Sequence, residues 1–210
     1  MMETETVVSQ GALKAVCSRD ELTRALGIVS RGVSTRTTVQ ILAGILLEAD
    51  GGKLNLAATD MELSLRTFLE AQVETDGSVV VPGRLLLELA RLLPDAEVSI
   101  EHKLEEAAVE VRCGSATYRL HTYNAEDFPR LPEAEALERH EIERASFLET
   151  VARVSRSASR DESRPVLTGV LMRFEPGKLV MAATDSYRLS VKETAIEGTV
   201  PELEAIVPAR

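Results

Sequence analysis

The stretch Ile41–Asp60 reads ILAGILLEADGGKLNLAATD, and Val166–Asp185, 125 positions later, reads VLTGVLMRFEPGKLVMAATD. Ten of the 20 positions are identical without a gap. The same offset aligns Val29-Ser30-Arg31 with Val154-Ser155-Arg156, and after one inserted residue VVPGR (80–84) matches IVPAR (206–210). Similarity at a fixed period indicates a structural unit that occurs twice.

Each copy is predicted to begin with a helix. Ser18-x-x-Glu21 is a capping box in the first copy, Ser146-x-x-Glu149 is the candidate cap in the second, and Gly32 is a plausible stop. Apolar residues at helical spacing form the buried stripes, namely Leu22, Ala25, Leu26 and Val29 in one copy and Phe147, Leu148, Val151 and Val154 in the other. In the second copy Arg153, Arg156 and Arg160 are predicted to share one helical face.

Strands are predicted to follow each helix. Residues 41–48 form an apolar run, 50–52 a turn, and 53–58 an alternating pattern, and further strands are expected near 63–69 and 79–81. Pro82 opens a second helix, whose predicted buried face is Leu86, Leu89, Leu92 and Leu93. Three more strands are expected at 98–101, 107–112 and 117–122. The fold class is therefore α+β with a repeated domain.

These elements give an expected domain order. We predict a flexible tail at 1–11, a first domain at 12–128, a linker at 129–140 and a second domain at 141–210. The first copy continues for about 40 residues beyond Arg84, whereas nothing follows Arg210. We therefore expect the second domain to be incomplete and the chain to belong to a longer protein.

Charge is distributed unevenly along the chain. The formal net charge is −10, which by itself disfavours a protein that wraps nucleic acid. Yet residues 19–36 carry four arginines against two acids, and so do residues 153–164. Basic charge is thus concentrated in two short segments of an acidic molecule.

Composition excludes several other classes. Cys17 and Cys113 are the only cysteines, and His102, His121 and His140 share no metal-ligand spacing, so we expect reduced thiols and no cofactor or metal. The N-terminal residues are polar and acidic, unlike a signal peptide, and no apolar run is long enough to span a membrane. A cytoplasmic protein is expected.

Four strings carry a resemblance to a known family. They are SRDESRPVLTGVL (159–171), AATDSYRLSV (182–191), IVPAR (206–210) and AEDFP (125–129). They resemble the bacterial β sliding clamps, and the resemblance covers about residues 12–210. It implies a DNA clamp fold with three such domains per subunit, of which the third is absent here. Two subunits would form a homodimeric ring around double-stranded DNA, with paired helices facing the hole and antiparallel sheets outside.

The resemblance also implies three sets of site residues. The DNA-facing positions are Arg36, Arg84, Arg164 and Arg210. A groove for short hydrophobic peptides of the replicative DNA polymerase, the clamp loader and repair proteins would include Leu167, Thr184, Ser186, Tyr187, Arg188 and Leu189. The subunit interface would include Tyr118 and Leu120. Duplex DNA would be held without sequence preference, because base contacts would stop a sliding ring.

Other interpretations of the same residues remain open. Arginines at helix ends can simply favour the helix dipole and solubility. Thr184-Asp185 after a strand is most often a turn, although the two copies diverge right after it, with Met61-Glu62 against Ser186-Tyr187. An enzyme using Asp60 and Asp185 is disfavoured, because these residues occupy equivalent turns of separate units. A clamp-fold adaptor that binds proteins without encircling DNA is the second functional hypothesis.

Overall fold

The computed structural model describes residues 12–34, 38–131, 141–197 and 202–209. The chain forms two compact units, Met1–Glu133 (unit 1) and Ala134–Arg210 (unit 2). The predicted tail at 1–11 and most of the predicted linker lie outside the described residues. No helix in the described ranges is long and apolar enough to cross a membrane.

Unit 1 contains two helices and nine strands in its described part. The helices are α1 (Arg19–Val29) and α2 (Gly83–Leu92). The strands are β1 (Lys14–Ser18), β2 (Gly44–Asp50), β3 (Lys53–Thr59), β4 (Ser64–Glu70), β5 (Gln72–Thr75), β6 (Gly77–Pro82), β7 (Glu97–Lys103), β8 (Ala108–Cys113) and β9 (Ala116–His121). The α+β prediction is confirmed.

Two antiparallel sheets build unit 1, with strand orders β5-β1-β7-β8-β9 and β4-β3-β2-β6. The strand before α1 pairs with the first strand after α2, because β1 lies beside β7. Conversely, the strand before α2 pairs with the first strand after α1, because β6 lies beside β2. In each half of unit 1, the strand that precedes the helix therefore belongs to the same sheet as the strands of the other half.

Aliphatic side chains fill the core of unit 1, which is consistent with a chain that has no Trp. The predicted stripe of α1 is confirmed, since Leu22, Leu26 and Val29 are fully buried. In α2, Leu86 and Leu93 are buried as predicted, but the prediction for Leu92 is wrong because its side chain is 77% exposed. Ala90 takes the buried position instead.

Neither predicted helix cap makes its expected hydrogen bond. Ser18 does precede α1, but its side chain makes no capping bond. The second prediction is wrong by three residues, because Glu143 caps α3 (Arg144–Val154) and accepts from the backbone N–H groups of Ala145 and Ser146. Acidic residues in these positions also interact favourably with the helix dipole.

Unit 2 repeats the first half of unit 1. Helix α3 precedes β10 (Gly169–Glu175), β11 (Lys178–Thr184), β12 (Leu189–Ala195) and β13 (Leu203–Pro208), in the sheet order β12-β11-β10-β13. Thr150 of α3 is buried, whereas Leu148 is 50% exposed, so the prediction for Leu148 is wrong. The shared arginine face is also wrong, because α3 ends at Val154 and a 3-10 turn begins at Ser155.

A segment at the end of unit 1 covers the back of its four-stranded sheet. We call residues 123–131 the strap, and we call the sheet face turned away from the helices the outer face. The Tyr123 N–H donates to the Val80 carbonyl (2.8 Å), and Arg66 Nη2 donates to the Leu131 carbonyl (2.8 Å). Ala125 and Phe128 of the strap pack against Ala57 and Val80 and form a separate small core.

Candidate functional site

The turn between β11 and β12, residues 184–189, is the predicted peptide-binding tip. Asp185 Oδ1 accepts from the backbone N–H groups of Tyr187 and Arg188, both at 3.0 Å. Thr184 Oγ1 accepts from the Ser186 N–H (3.1 Å) and donates to the Arg188 carbonyl (2.7 Å). Thr and Asp are favoured in such turns because their short side chains satisfy nearby backbone groups.

The equivalent turn of unit 1 has the same backbone but different side chains. Ser186 has φ 79° and its counterpart Met61 has φ 76°, so each turn holds one residue in the left-handed region. Asp60 Oδ1 likewise accepts from two N–H groups of its turn, at 3.0 and 2.8 Å. The turn itself is thus structural in both units, and only its outward side chains can confer a function specific to unit 2.

Among the outward side chains of the unit 2 turn, that of Arg188 is fixed by two hydrogen bonds. Its Nε donates to Asp185 Oδ2 (3.0 Å), and its Nη2 donates to the Arg156 carbonyl (2.7 Å). Tyr187 is 96% exposed and makes the most prominent projection of the tip. The pKa of Asp185 is held below its ordinary value, first by the hydrogen bond from the Tyr187 N–H and further by those from Arg188.

Arg164, predicted to face DNA, lies against this tip. Its Nη1 donates to Ser186 Oγ (3.1 Å), and its Nε donates to Asp161 Oδ2 (2.8 Å). Asp161 also accepts from the side chain and the N–H of Ser163, and these bonds lower the pKa of its carboxyl group, the Ser163 hydroxyl contributing most. The structure therefore joins a predicted DNA-facing residue to the predicted peptide site.

A polar depression of about 380 Å³ separates the tip from the loop that follows α3. Its lining residues are Arg156, Ala158, Ser159, Arg160, Asp161, Arg164, Asp185, Tyr187 and Arg188. Sequence reasoning did not identify Asp161 or Arg156 as site residues. The Asp161 carboxylate accepts from Arg164, and the main-chain carbonyl of Arg156 accepts from Arg188. Guanidinium and hydroxyl groups make this depression suited to hydrogen-bonding a polar side chain or peptide carbonyl.

The predicted apolar part of the groove consists of Leu167 and Leu189, and neither side chain lines this depression. Leu189 begins β12 and is 67% exposed. Leu167 is half-buried in the 3-10 turn Pro165–Thr168, and its carbonyl accepts from the Ser159 N–H (2.8 Å). Exposed Leu189 and neighbouring Val166 provide the hydrophobic surface near the polar depression.

Of the other predicted DNA-facing arginines, Arg84 is the one that lies within the described residues. Arg36 and Arg210 lie outside the described residues. Arg84 lies in the first turn of α2 with its side chain 84% exposed, and its Nε is 3.1 Å from Glu88 Oε1. Exposed pairs of this kind contribute little to stability, so Arg84 remains available to an anionic partner.

The predicted interface residues lie on β9, which is an edge strand of the five-stranded sheet. Tyr118 is 37% exposed, and Leu120 is partly buried against the core. An edge strand has backbone groups that can pair with another chain. The position of β9 is compatible with a subunit interface, which stays a prediction.

Asp60 and Asp185 bond to the backbone of their own turns in units 1 and 2. Within the described ranges no cluster of three or more His, Cys, Asp or Glu side chains could hold a metal ion.

Two family models match the chain in succession. The model described as DNA polymerase III beta subunit, N-terminal domain, matches residues 13–132. The model of the central domain of the same subunit matches residues 141–210. Together they cover both units.

Curated relatives and solved structures agree with these matches. The beta sliding clamp of Micrococcus luteus is 40% identical over 86% of this chain and 57% of the relative, and that of Streptomyces coelicolor is 36% identical over 94% and 52%. The Thermotoga maritima DNA polymerase III beta subunit has a TM-score of 0.86 at 28% identity, covering 94% of this chain and 53% of that one. A Pseudomonas aeruginosa sliding clamp bound to griselimycin has a TM-score of 0.84 at 27% identity, covering 95% and 54%. The chain spans about half the length of the curated relatives it matches.

Proposed function

Because the chain belongs to the bacterial β sliding clamp family, we propose that its protein is a processivity factor that encircles duplex DNA and tethers the replicative polymerase. The observation that carries the proposal is the succession of two β-subunit domains along one chain, each with the clamp fold. The protein acts without catalysis and without a cofactor. Its place is the cytoplasm, where bacterial DNA is replicated.

The charge distribution supports a ring that slides. Tight phosphate contacts would give friction, and contacts to base edges would stop the ring at particular sequences. Topological linkage removes the need for high affinity, so a few basic side chains, such as those of Arg36, Arg84, Arg164 and Arg210, suffice to centre the duplex. The net charge of −10 keeps DNA from wrapping the rest of the surface.

Closure of the ring requires a homodimer in the full-length protein. The edge of β9 that has no strand partner among the described residues, with Tyr118 and Leu120, is the proposed contact surface for the second subunit. Backbone pairing along such an edge gives a specific antiparallel or parallel register.

A comparison of circular and linear DNA tests encirclement. The full-length protein is loaded onto a nicked circle, and half of the sample is then linearised by a restriction enzyme. A ring stays on the circle and slides off the free ends, whereas an adaptor that never encircles DNA shows equal retention on both. Equal retention would refute the ring and favour the adaptor.

The arginines are tested by salt dependence in the same assay. Arg84→Ala combined with Arg36→Ala should reduce loading and lower the log–log salt slope by about 0.9 for each phosphate contact that the substitutions remove. Arg173→Ala is the matched control, because Arg173 lies on the outer face of unit 2 and pairs with Glu204 (2.6 Å). An unchanged slope in the double variant would remove these residues from the DNA surface.

The tip of unit 2 is the proposed docking site for partner proteins. Leu167 and Leu189 supply apolar contacts, while Thr184, Ser186, Tyr187 and Arg188 supply the polar ones. Short peptides with a Gln followed by Leu or Phe should bind with micromolar affinity, because two aliphatic anchors must offset the association cost. Calorimetry should show about tenfold weaker binding to Leu167→Ala or Leu189→Ala, but not to Leu85→Ala, a control leucine that is 53% exposed on α2. Equal affinity of all three variants would exclude the site.

A further inference from the structure

One main-chain hydrogen bond closes the loop after the first helix of each repeat. In unit 1 the Ser34 N–H donates to the Leu42 carbonyl (2.9 Å), and in unit 2 the Ser159 N–H donates to the Leu167 carbonyl (2.8 Å). Donors and acceptors are both 125 positions apart, so the repeat offset holds through the loop. Residues of the two loops can therefore be compared position by position.

The loop of unit 2 is linked to the tip by side chains that differ in kind from those of unit 1. They are a carboxylate, a guanidinium and a hydroxyl group, at Asp161, Arg164 and Ser186. The repeat places Arg36, Val39 and Met61 at these positions of unit 1. Val has no polar side-chain atom and Met has only a weak acceptor, so this link is specific to the unit that carries the proposed docking tip.

Asp161 is the fixed end of the link, because its own loop holds it. Its Oδ1 accepts from the Ser163 hydroxyl (2.6 Å) and from the Ser163 N–H (3.1 Å), and its N–H donates to Ser159 Oγ (3.0 Å). These bonds leave Oδ2 to Arg164, whose Nε lies 2.8 Å away. The Ser163 hydroxyl first, and then the Ser163 N–H and Arg164, hold the pKa of this carboxyl below its ordinary value, so Asp161 is ionised at neutral pH.

Arg164 carries the link to the tip. Its Nη1 donates to Ser186 Oγ (3.1 Å) while its Nε donates to Asp161. Guanidinium donors point in fixed directions, so the bond to Asp161 also sets the direction of Nη1. Ser186 has a φ of 79°, which costs free energy in a residue with a Cβ. A donor on its hydroxyl stabilises this residue in the tip.

The same guanidinium is within reach of a ligand in solvent. The side chain of Arg164 is 46% exposed, and that of Asp161 is 44% exposed. A DNA phosphate can approach Arg164, but it must displace the Asp161 carboxylate or the Ser186 hydroxyl to bond Nε or Nη1. Exposed ion pairs change an equilibrium by about fivefold or less, so this exchange of partners is readily reversible.

We propose that Asp161 is a positioning residue of the docking tip, which holds Arg164 against Ser186 and withholds it from DNA phosphate. This role rests on the proposed function, because it concerns the docking site and the duplex assigned there. A partner that requires the braced tip and a phosphate that requires the released guanidinium compete for Arg164. By linkage, each lowers the affinity of the protein for the other by the same factor.

Asp161→Asn in the full-length protein separates two effects of opposite direction. The amide has the same size and keeps an oxygen for Ser163, but it is neutral and no longer attracts the guanidinium. A synthetic peptide with Gln followed by Leu and Phe should bind about two- to fivefold more weakly in calorimetry, as for the loss of an exposed ion pair. In the circular-DNA assay the released Arg164 should steepen the log–log salt slope by up to about 0.9.

Further variants show whether both effects pass through Arg164. Asp161→Asn in an Arg164→Met background removes the same negative charge with no guanidinium to release, so it should neither weaken peptide binding further nor steepen the salt slope. Ser186→Ala removes the other end of the link and should weaken peptide binding by the same factor. Combined with Asp161→Asn, it should bind no more weakly than either single variant, because both substitutions break one link. Circular dichroism verifies that each variant is folded.

Leu167→Ala is the reference for the docking site itself. Weakened peptide binding to Leu167→Ala with unchanged binding to Asp161→Asn would overturn the positioning role and leave the docking site in place. Unchanged binding to both variants would remove the docking site and, with it, the role of Asp161. An unchanged salt slope in Asp161→Asn would show that Arg164 is not shared with DNA. Weaker binding of both peptide and DNA would reduce Asp161 to a structural residue of its loop.

Discussion

The strap of unit 1 offers a sharp quantitative test through Phe128→Ala. Phe128 is 8% exposed and packs with Ala57, Val80 and Ala125 in a cluster separate from the main core. Truncating a buried Phe to Ala typically costs about 3–5 kcal/mol. The lower figure applies here, because the strap lies on the surface and can partly collapse into the space left behind.

This reduction in stability should appear as local opening of the strap. The Tyr123 N–H is protected by its bond to the Val80 carbonyl (2.8 Å), and it exchanges with solvent when the strap lifts. About 3 kcal/mol corresponds to roughly a 150-fold faster exchange of this amide. The amides of β3 should keep their protection, because the main core does not include Phe128.

Phe68→Ala is the control for this experiment. Phe68 is 56% exposed on β4, where the ammonium group of Lys53 lies 4.6 Å from its ring centroid. Such an exposed cation–π contact is worth about 0.5–1 kcal/mol, so the exchange of Tyr123 should change by less than about tenfold. Hydrogen exchange of the Tyr123 amide is measured by NMR in both variants. Equal effects of the two substitutions, or an unchanged Tyr123 amide in Phe128→Ala, would refute the view that Phe128 holds the strap.

Two further predictions concern the turn carboxylate and the repeat glycines. The folded-state pKa of Asp185 is lowered, so its contribution to the turn is complete above the ordinary value of 3.8 and is lost as pH falls through the lowered pKa. NMR should therefore show the amide shifts of the turn unchanged from about pH 7 to about pH 4 and moving only in stronger acid, and movement centred near about pH 5 would contradict it. A Cβ on Gly44 would lie 2.3 Å from the fully buried Val80, and one on Gly169 would lie 2.3 Å from the half-exposed Ile206. Gly44→Ala should thus cost about 1–3 kcal/mol of unfolding free energy in urea, and Gly169→Ala distinctly less, because the exposed side chain can rotate away. Equal costs would contradict this reasoning.

The repeat makes most of the fold predictable, because each predicted strand or helix can be compared between two aligned copies of the sequence. Strand β3 and its buried residues Leu54, Leu56 and Ala58 follow directly from the alternation. Strands β1 and β5 escape prediction, because they are short and carry few strongly apolar residues. The predicted strand start at Ile41 is also wrong, since residues 40–43 form a 3-10 turn and β2 begins at Gly44.

Helix faces are harder to assign than strands. Hydrophobicity predicts a buried Leu148, but the buried position belongs to Thr150, whose hydroxyl lies 2.5 Å from that of Thr194. A polar residue can take a core position when its hydrogen bond is satisfied within the protein. Periodicity of apolar residues cannot detect such a position, because the partner lies 44 residues away.

The site is predicted from resemblance, and only part of it could have followed from physical reasoning. The divergence of the copies at 186–188 indicates a function at the tip of unit 2. The contact of Arg164 with Ser186 and that of Arg188 with the Arg156 carbonyl depend on a loop whose course no local pattern specifies. Tertiary contacts of this kind become visible only when the backbone is known.

Comparison of the two repeats separates structural from functional residues more sharply than either repeat alone. Thr59-Asp60 and Thr184-Asp185 are identical and accept hydrogen bonds from equivalent backbone N–H groups, so folding is sufficient to account for them. The copies differ in the exposed side chains of the tip, where Met61-Glu62 of unit 1 corresponds to Ser186-Tyr187 of unit 2. At the tip, unit 2 presents Leu189, which is 67% exposed, in place of Ser64. Leu189 and the fully exposed Tyr187 give this tip an apolar surface that its counterpart in unit 1 arranges differently, so the tip of unit 2 is expected to bind a partner.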